Sequence, residues 1–146
     1  MPASPAVLAN SSDSESQLLL GLRPSDAGVI LLIEDDDHIA GLISLILGRV
    51  NRRVLRARDC ETGLQLFNDH RPSIDLVIVD SMLPDGEGGQ LCQQLRAARP
   101  HLPVLLTSGR EHARIAALIK GGATAFLPKP FLPADVERNV AGLLGV

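Results

Sequence analysis

The stretch that decides the fold is Asp75-Leu76-Val77-Ile78-Val79-Asp80. Its four consecutive apolar residues lie between turn-forming segments, a pattern typical of a β-strand that is buried on both faces. Strands of that kind occur in parallel sheets that are covered by helices on both sides. Ligands of such open sheets bind just beyond the carboxyl ends of the strands, where Asp80 falls. Asp80 is therefore the first candidate for a functional residue.

Five short apolar runs predict five strands. They are Val29–Ile33, Val54–Arg58, Asp75–Asp80, Pro103–Leu106 and Thr124–Leu127. Each run is followed by a segment with the apolar period of an amphipathic helix, one of them from about Glu111 to Lys120. After Asp80 a turn containing Gly86, Gly88 and Gly89 is expected before the next helix. Five strands alternating with five helices predict an α/β fold with a doubly wound parallel sheet.

The length and composition are those of a single domain with a hydrophobic core. The chain has 146 residues, of which 45% are hydrophobic and 21% are charged. Residues 1–27 are rich in Pro, Ser, Ala and Asp, and we predict that they form a flexible leader before a domain at 28–146. No run approaches the roughly 18 apolar residues of a transmembrane helix, and no signal peptide is evident. We therefore expect a cytoplasmic protein without a membrane partner.

The charge and aromatic content argue against direct binding of nucleic acid. The net charge is −3, and the chain has three Phe, no Tyr and no Trp. A basic stripe and stacking aromatic residues, which nucleic-acid-binding domains use, are therefore not expected. Cys60 and Cys92 lack the spacing of metal ligands, and Cys92 is expected to be a small core residue.

Polar residues follow four of the predicted strands at the same edge of the sheet. Glu34 and Asp35 follow the first strand, Asp80 ends the third, Thr107 follows the fourth and Lys129 lies just after the fifth. Without a counter-ion, each pair of carboxylates at about 4 Å would repel by about 4 kcal/mol at an effective dielectric near 20. A divalent cation removes that cost, and a site of carboxylate oxygens suits Mg²⁺.

A phosphoryl group would complete such a site. The hydroxyl group of Thr107 offers a hydrogen bond to phosphoryl oxygens, and the ammonium group of Lys129 offers a positive charge. The reaction that we infer is phosphoryl transfer to the carboxylate of Asp80, which gives an acyl phosphate by in-line attack.

At this point the sequence resembles the response-regulator receiver domains of two-component signalling, over residues 28–145. The matching segments are Leu31–Asp36, Asp75–Pro84 followed by Gly88, Pro103–Ser108 and Gly122–Phe131. The resemblance implies a flavodoxin-like (βα)5 fold with the strand order 2-1-3-4-5. It also implies a signalling domain that is not an enzyme, because it catalyses only its own phosphorylation and dephosphorylation.

The resemblance assigns roles to the residues at this edge of the predicted sheet. Asp80 would be the phosphoacceptor. Asp35, Asp80 and the backbone carbonyl of Met82 would hold Mg²⁺, with Glu34 acting directly or through a water molecule. Glu34 stands where many members of the family carry Asp, and its longer side chain could leave room for that water.

The resemblance also implies a switch. Thr107 and Lys129 would contact the phosphoryl oxygens, and Phe126 stands where the family carries its switch aromatic residue. Movement of Thr107 towards the phosphoryl group would vacate space for Phe126. The affected face comprises the predicted fourth helix, from about Glu111 to Lys120, together with the fifth strand and the last helix.

By the same resemblance, the phosphoryl donor is a sensor histidine kinase or a phosphotransfer protein, and the output is a downstream protein effector. A homodimer through the face of the last helix fits the resemblance as well. Because Val146 directly follows the last helix, the sequence leaves open whether the domain stands alone or belongs to a larger regulator.

Three alternatives have different sequence requirements. A phosphatase of the haloacid dehalogenase type needs a second Asp two residues after its nucleophile, where this chain has Met82. A nucleotide-binding module needs a glycine-rich turn after the first strand, where this chain has acids. A receiver-like binding scaffold that works without phosphorylation needs none of Asp80, Thr107 and Lys129, and it is the alternative that we keep.

Overall fold

Five parallel strands form the central sheet. This computed structural model describes residues 29–109 and 124–145. The strands are β1 (Val29–Ile33), β2 (Arg53–Ala57), β3 (Ile74–Asp80), β4 (Val104–Ser108) and β5 (Ala125–Pro128). Their order across the sheet is β2-β1-β3-β4-β5, which confirms the predicted order 2-1-3-4-5. The direction of winding reverses between β1 and β3, and ligands of such folds bind beyond the strand ends at that reversal.

Helices pack on both faces of the sheet. The described helices are α1 (Asp37–Gly48), α2 (Cys60–His70), α3 (Gly88–Ala98) and α4 (Pro133–Leu144). A 3-10 turn, Arg71–Ser73, connects α2 to β3. The predicted leader at 1–27 and the predicted helix at 111–120 lie outside the described residues. Within the described ranges, no helix has the length and apolar character needed to cross a membrane.

Successive residues of the buried strands point to opposite faces and supply two cores. On one face, Leu31 and Val77 pack with Phe67 of α2 and with α3. On the other face, Ile30 and Ile78 pack with α1 and α4. Every residue of β1 and β4 is buried. This burial on both sides explains why these strands are continuous apolar runs, and it holds their carboxyl ends at one edge.

The expected turn with Gly86, Gly88 and Gly89 was wrong for two of the three glycines. Gly88 and Gly89 do not lie in a turn before the helix but are the first two residues of α3. The N–H group of Gly88 donates a hydrogen bond to the Ser81 carbonyl at 2.9 Å. A Cβ atom at this position would lie 2.0 Å from the carbonyl oxygen of Asp80. Glycine is therefore required here because α3 begins directly against the backbone of β3.

Candidate functional site

The carboxyl ends of four strands bring the predicted polar residues to one edge of the sheet. Asp80, the last residue of β3, is paired in register with Thr107 of β4. Glu34 follows β1, and Lys129 follows β5, where its N–H group donates to the Ser108 carbonyl at 2.8 Å. The sequence expectation that these residues share one edge is therefore confirmed by the topology.

Three carboxylates form a group that could hold a metal ion. Glu34, Asp35 and Asp80 each offer one oxygen atom, and these atoms all lie within 4.8 Å of one another. Octahedral Mg²⁺ binds oxygen at about 2.1 Å, which places adjacent ligands about 3 Å apart and opposite ligands about 4 Å apart. Small side-chain movements would bring the three oxygens to those separations; alternatively, a water molecule would link one of the carboxylates to the ion. The donor set therefore fits Mg²⁺.

Lys129 lies between the two buried carboxylates. Its Nζ atom is 3.1 Å from Oε1 of Glu34 and 3.4 Å from Oδ1 of Asp80. The Lys129 side chain is 19% exposed, so water screens these interactions only in part. The ammonium group offsets the repulsion between the carboxylates and places a positive charge beside the candidate phosphoacceptor.

Glu34 is the most deeply buried member of the group, at 1% exposure. Burial raises its pKa from 4.5 to about 7, and the nearby Asp80 charge adds to the rise. The N–H group of Asp36, which donates to Oε2 at 3.1 Å, and the charge of Lys129 both oppose the increase in pKa. In the absence of a metal, Glu34 therefore exchanges its proton near neutral pH.

The other two acids of the cluster at 34–37 have structural partners. Asp36 caps α1 and accepts hydrogen bonds from the N–H groups of His38 at 2.8 Å and Ile39 at 3.1 Å. Asp37 accepts from Arg56 at 3.0 Å and from Arg58 at 2.7 Å. Of the four adjacent acids, only Glu34 and Asp35 belong to the candidate metal group.

Arg56 is a contributor that the sequence analysis missed. From the edge strand β2, its Nε and Nη2 atoms donate to the backbone carbonyl of Glu34 at 2.9 Å and 2.7 Å. The planar guanidinium group therefore holds the backbone at the point where Glu34 leaves β1. The only local signal was a basic residue within a strand pattern, which is usually a solvated side chain.

The loop after Asp80 carries Met82, the predicted carbonyl ligand. Its N–H group lies 3.4 Å from Oδ1 of Asp80, and its side chain is exposed. Met82–Leu83 pairs with Gly86–Glu87 in a two-residue antiparallel ladder. The N–H group of Ser81 donates to the Thr107 carbonyl at 2.8 Å, which fixes the start of the loop to β4.

The two predicted switch residues occupy neighbouring strands. Thr107 is buried, at the level of Asp80. Phe126 pairs in register with Leu106 and packs, half-buried, against the core on the side of α2 and α3. A switch that couples Thr107 to Phe126 stays a prediction, as do the roles of the other site residues.

Comparisons with known proteins agree with this arrangement. The family model of the response regulator receiver domain matches residues 30–141. The chain belongs to the response-regulator receiver family. The crystal structure of a response regulator receiver domain protein from Clostridium thermocellum superposes with a TM-score of 0.76 at 28% identity, covering 81% of this chain and 94% of that one.

Curated relatives of this receiver domain are regulators of transcription by name. The uncharacterized transcriptional regulatory protein YrkP of Bacillus subtilis is 36% identical over 117 residues, which are 79% of this chain and 48% of that protein. Transcriptional regulatory protein AfsQ1 of Streptomyces coelicolor is 36% identical over 115 residues, which are 79% of this chain and 50% of that protein. The receiver chain thus spans about half the length of the curated relatives that it matches.

Proposed function

We propose that this receiver domain accepts a phosphoryl group on Asp80 from a phosphohistidine of a sensor histidine kinase or phosphotransfer protein. The observation that carries the proposal is the position of Asp80, which is 7% exposed, grouped with Glu34 and Asp35, and 3.4 Å from Nζ of Lys129. A carboxylate with acids on one side and an ammonium group on the other is suited to receive a phosphoryl group.

The transfer requires an in-line displacement at phosphorus. A carboxylate oxygen of Asp80 forms the new P–O bond while the P–N bond to the donor imidazole breaks, and its electron pair stays on the imidazole nitrogen. Lys129 contacts a phosphoryl oxygen, exchanging part of its interaction with Glu34 for one with the new anion. The hydroxyl group of Thr107 donates a hydrogen bond to another phosphoryl oxygen.

The proposed metal ligands are the carboxylates of Asp35 and Asp80 and the backbone carbonyl of Met82, with Glu34 bound directly or through water. When bound, Mg²⁺ supplies positive charge that neutralises the phosphoryl oxygens. Its charge also relieves the repulsion within the acidic group.

The output follows from the added charge. A phosphoryl group adds about 1.5 to 2 negative charges at neutral pH, which draws Thr107 and Lys129 towards Asp80. We propose that Phe126 responds by repacking and alters a protein-binding face that includes β5 and α4. That face could also form a homodimer. Because YrkP and AfsQ1 are named as transcriptional regulatory proteins, we propose that the downstream effector is a protein that regulates transcription. We propose that residues 28–146, the receiver domain, make no direct contact with DNA.

Intact mass measurement tests the proposal. The purified protein is incubated with Mg²⁺ and acetyl phosphate or phosphoramidate, beside the variants Asp80→Asn and Asp75→Asn. Asp75 lies near the start of β3, at the opposite end of the strand, and is a matched control. We expect a Mg²⁺-dependent gain of about 80 Da in the wild type and in the Asp75 variant, but none in the Asp80 variant. No gain in the wild type, or an equal gain in the Asp80 variant, would favour the phosphorylation-independent scaffold.

A further inference from the structure

Asp85 lies on the loop that follows Asp80 and connects that loop to the start of α2. The carboxylate of Asp85 accepts hydrogen bonds from the backbone N–H groups of Cys60 at 2.8 Å and Glu61 at 3.0 Å. These are the first two residues of α2, where N–H groups have no partner within the helix and the helix dipole favours an anion. Asp59 caps the same helix separately by accepting from the N–H group of Thr62 at 2.8 Å.

We propose that Asp85 is a positioning residue for metal binding, which it supports by holding the backbone that carries the Met82 carbonyl. This inference rests on the proposed function of the Asp80 site. Met82 precedes Asp85 by three residues, and the side chain of Asp85 attaches this part of the loop to α2. Asp85 therefore acts through the loop and not as a metal ligand.

Most of the outer part of the loop is exposed to solvent. Met82 is 73% exposed, and Pro84, Asp85 and Gly86 are exposed as well, whereas Leu83 is buried. The inner end of the loop is held where Ser81 binds the Thr107 carbonyl and Gly88 binds the Ser81 carbonyl. Asp85 supplies the outer attachment, so Met82 lies between two fixed points. Without Asp85, the outer part of the loop would lose this attachment to α2, while the two-residue ladder and the buried Leu83 would remain.

The identity of the ion makes the position of this carbonyl important. Mg²⁺ requires nearly ideal octahedral geometry at about 2.1 Å, whereas Ca²⁺ accepts irregular geometry at about 2.3 to 2.6 Å. A loop that moves by a few tenths of an ångström therefore weakens Mg²⁺ binding more than Ca²⁺ binding. The loss of a nearby negative charge, in contrast, weakens the binding of both ions alike.

The test measures the Kd of Mg²⁺ and of Ca²⁺ by NMR titration of backbone amides in the wild type, Asp85→Ala, Asp85→Asn and Asp59→Ala. We expect Asp85→Ala to raise the Kd for Mg²⁺ about tenfold, as for residues that orient metal ligands, and the Kd for Ca²⁺ by clearly less. Asp85→Asn keeps one acceptor oxygen and should fall between wild type and Asp85→Ala. Asp59→Ala removes a cap from the same helix without touching the loop and should bind both ions as the wild type does.

The possible results separate this inference from the proposed function. An unchanged Kd in Asp85→Ala, an equal weakening of Mg²⁺ and Ca²⁺ binding, or an equal effect of Asp59→Ala would each overturn the role of Asp85 while leaving the Asp80 site in place. A wild type that binds no Mg²⁺ would overturn the proposed metal site and this inference with it. Preferential loss of Mg²⁺ binding confined to the Asp85 variants would support the inference.

Discussion

Replacing Glu34 by Gln should stabilise the metal-free protein above pH 7 while changing its stability little near pH 5. The cause is the burial of Glu34, which raises its pKa from 4.5 to about 7. A shift of that size corresponds to about 3 kcal/mol, at about 1.4 kcal/mol per pKa unit. Gln has nearly the same shape, and its carbonyl oxygen can still accept from Lys129, but it carries no charge that burial would penalise.

The sign follows from proton binding in the two states. Because the folded protein holds the Glu34 proton to a higher pH than the unfolded chain does, the associated stability is fully present below pH 4.5 and is lost as the pH rises through about 7. Between pH 5 and pH 8 the wild type should therefore lose about 2 to 3 kcal/mol relative to Glu34→Gln.

Urea unfolding at pH 5, 6, 7 and 8 in the presence of a chelator measures this difference. The four His residues are common to both proteins, so their titration cancels when the two free energies of unfolding are subtracted. Asp35→Asn is the control, because Asp35 is exposed and its removal should leave the wild-type pH dependence in place. A difference between wild type and Glu34→Gln that stays constant from pH 5 to pH 8 would refute the reasoning.

Two further substitutions test the backbone around the site. Gly88→Ala should lower the free energy of unfolding by about 3 kcal/mol, because its Cβ would lie 2.0 Å from the Asp80 carbonyl oxygen. Gly41→Ala, a helical glycine in open space, should raise it by about 1 kcal/mol; similar urea midpoints for the two variants would contradict the close approach. Arg56→Lys should lower the free energy of unfolding by about 1 to 2 kcal/mol, because a single ammonium group cannot reproduce the paired hydrogen bonds to the Glu34 carbonyl. An unchanged urea midpoint would show that these bonds contribute no stability.

The sheet could be predicted because its determinants are local. Each buried strand is a short apolar run, and each helix that follows has its own period, so β1 was predicted with its observed bounds, Val29–Ile33. The shared position of Glu34, Asp80 and Lys129 followed from topology, since the carboxyl ends of parallel strands meet at one edge.

The contacts that hold the site could not be predicted because they join distant parts of the chain. Arg56 binds the backbone of a residue 22 positions earlier, and Asp85 binds one 25 positions earlier. No local pattern encodes such pairs. Gly88 was misplaced for a related reason: a glycine in sequence indicates a turn, but here it is needed where helix and strand backbones nearly touch.

The ion pair between Glu34 and Lys129 spans 95 residues of sequence and has a consequence for biosynthesis. Contacts between such distant residues form late, because the intervening chain must first be ordered. A nascent chain that has emerged only as far as β4 lacks Lys129 and so presents an acidic edge without its counter-charge. If phosphorylation needs Lys129, only a chain with β5 in place can take a phosphoryl group from its donor. Incomplete chains would then not compete with complete chains for the phosphoryl donor.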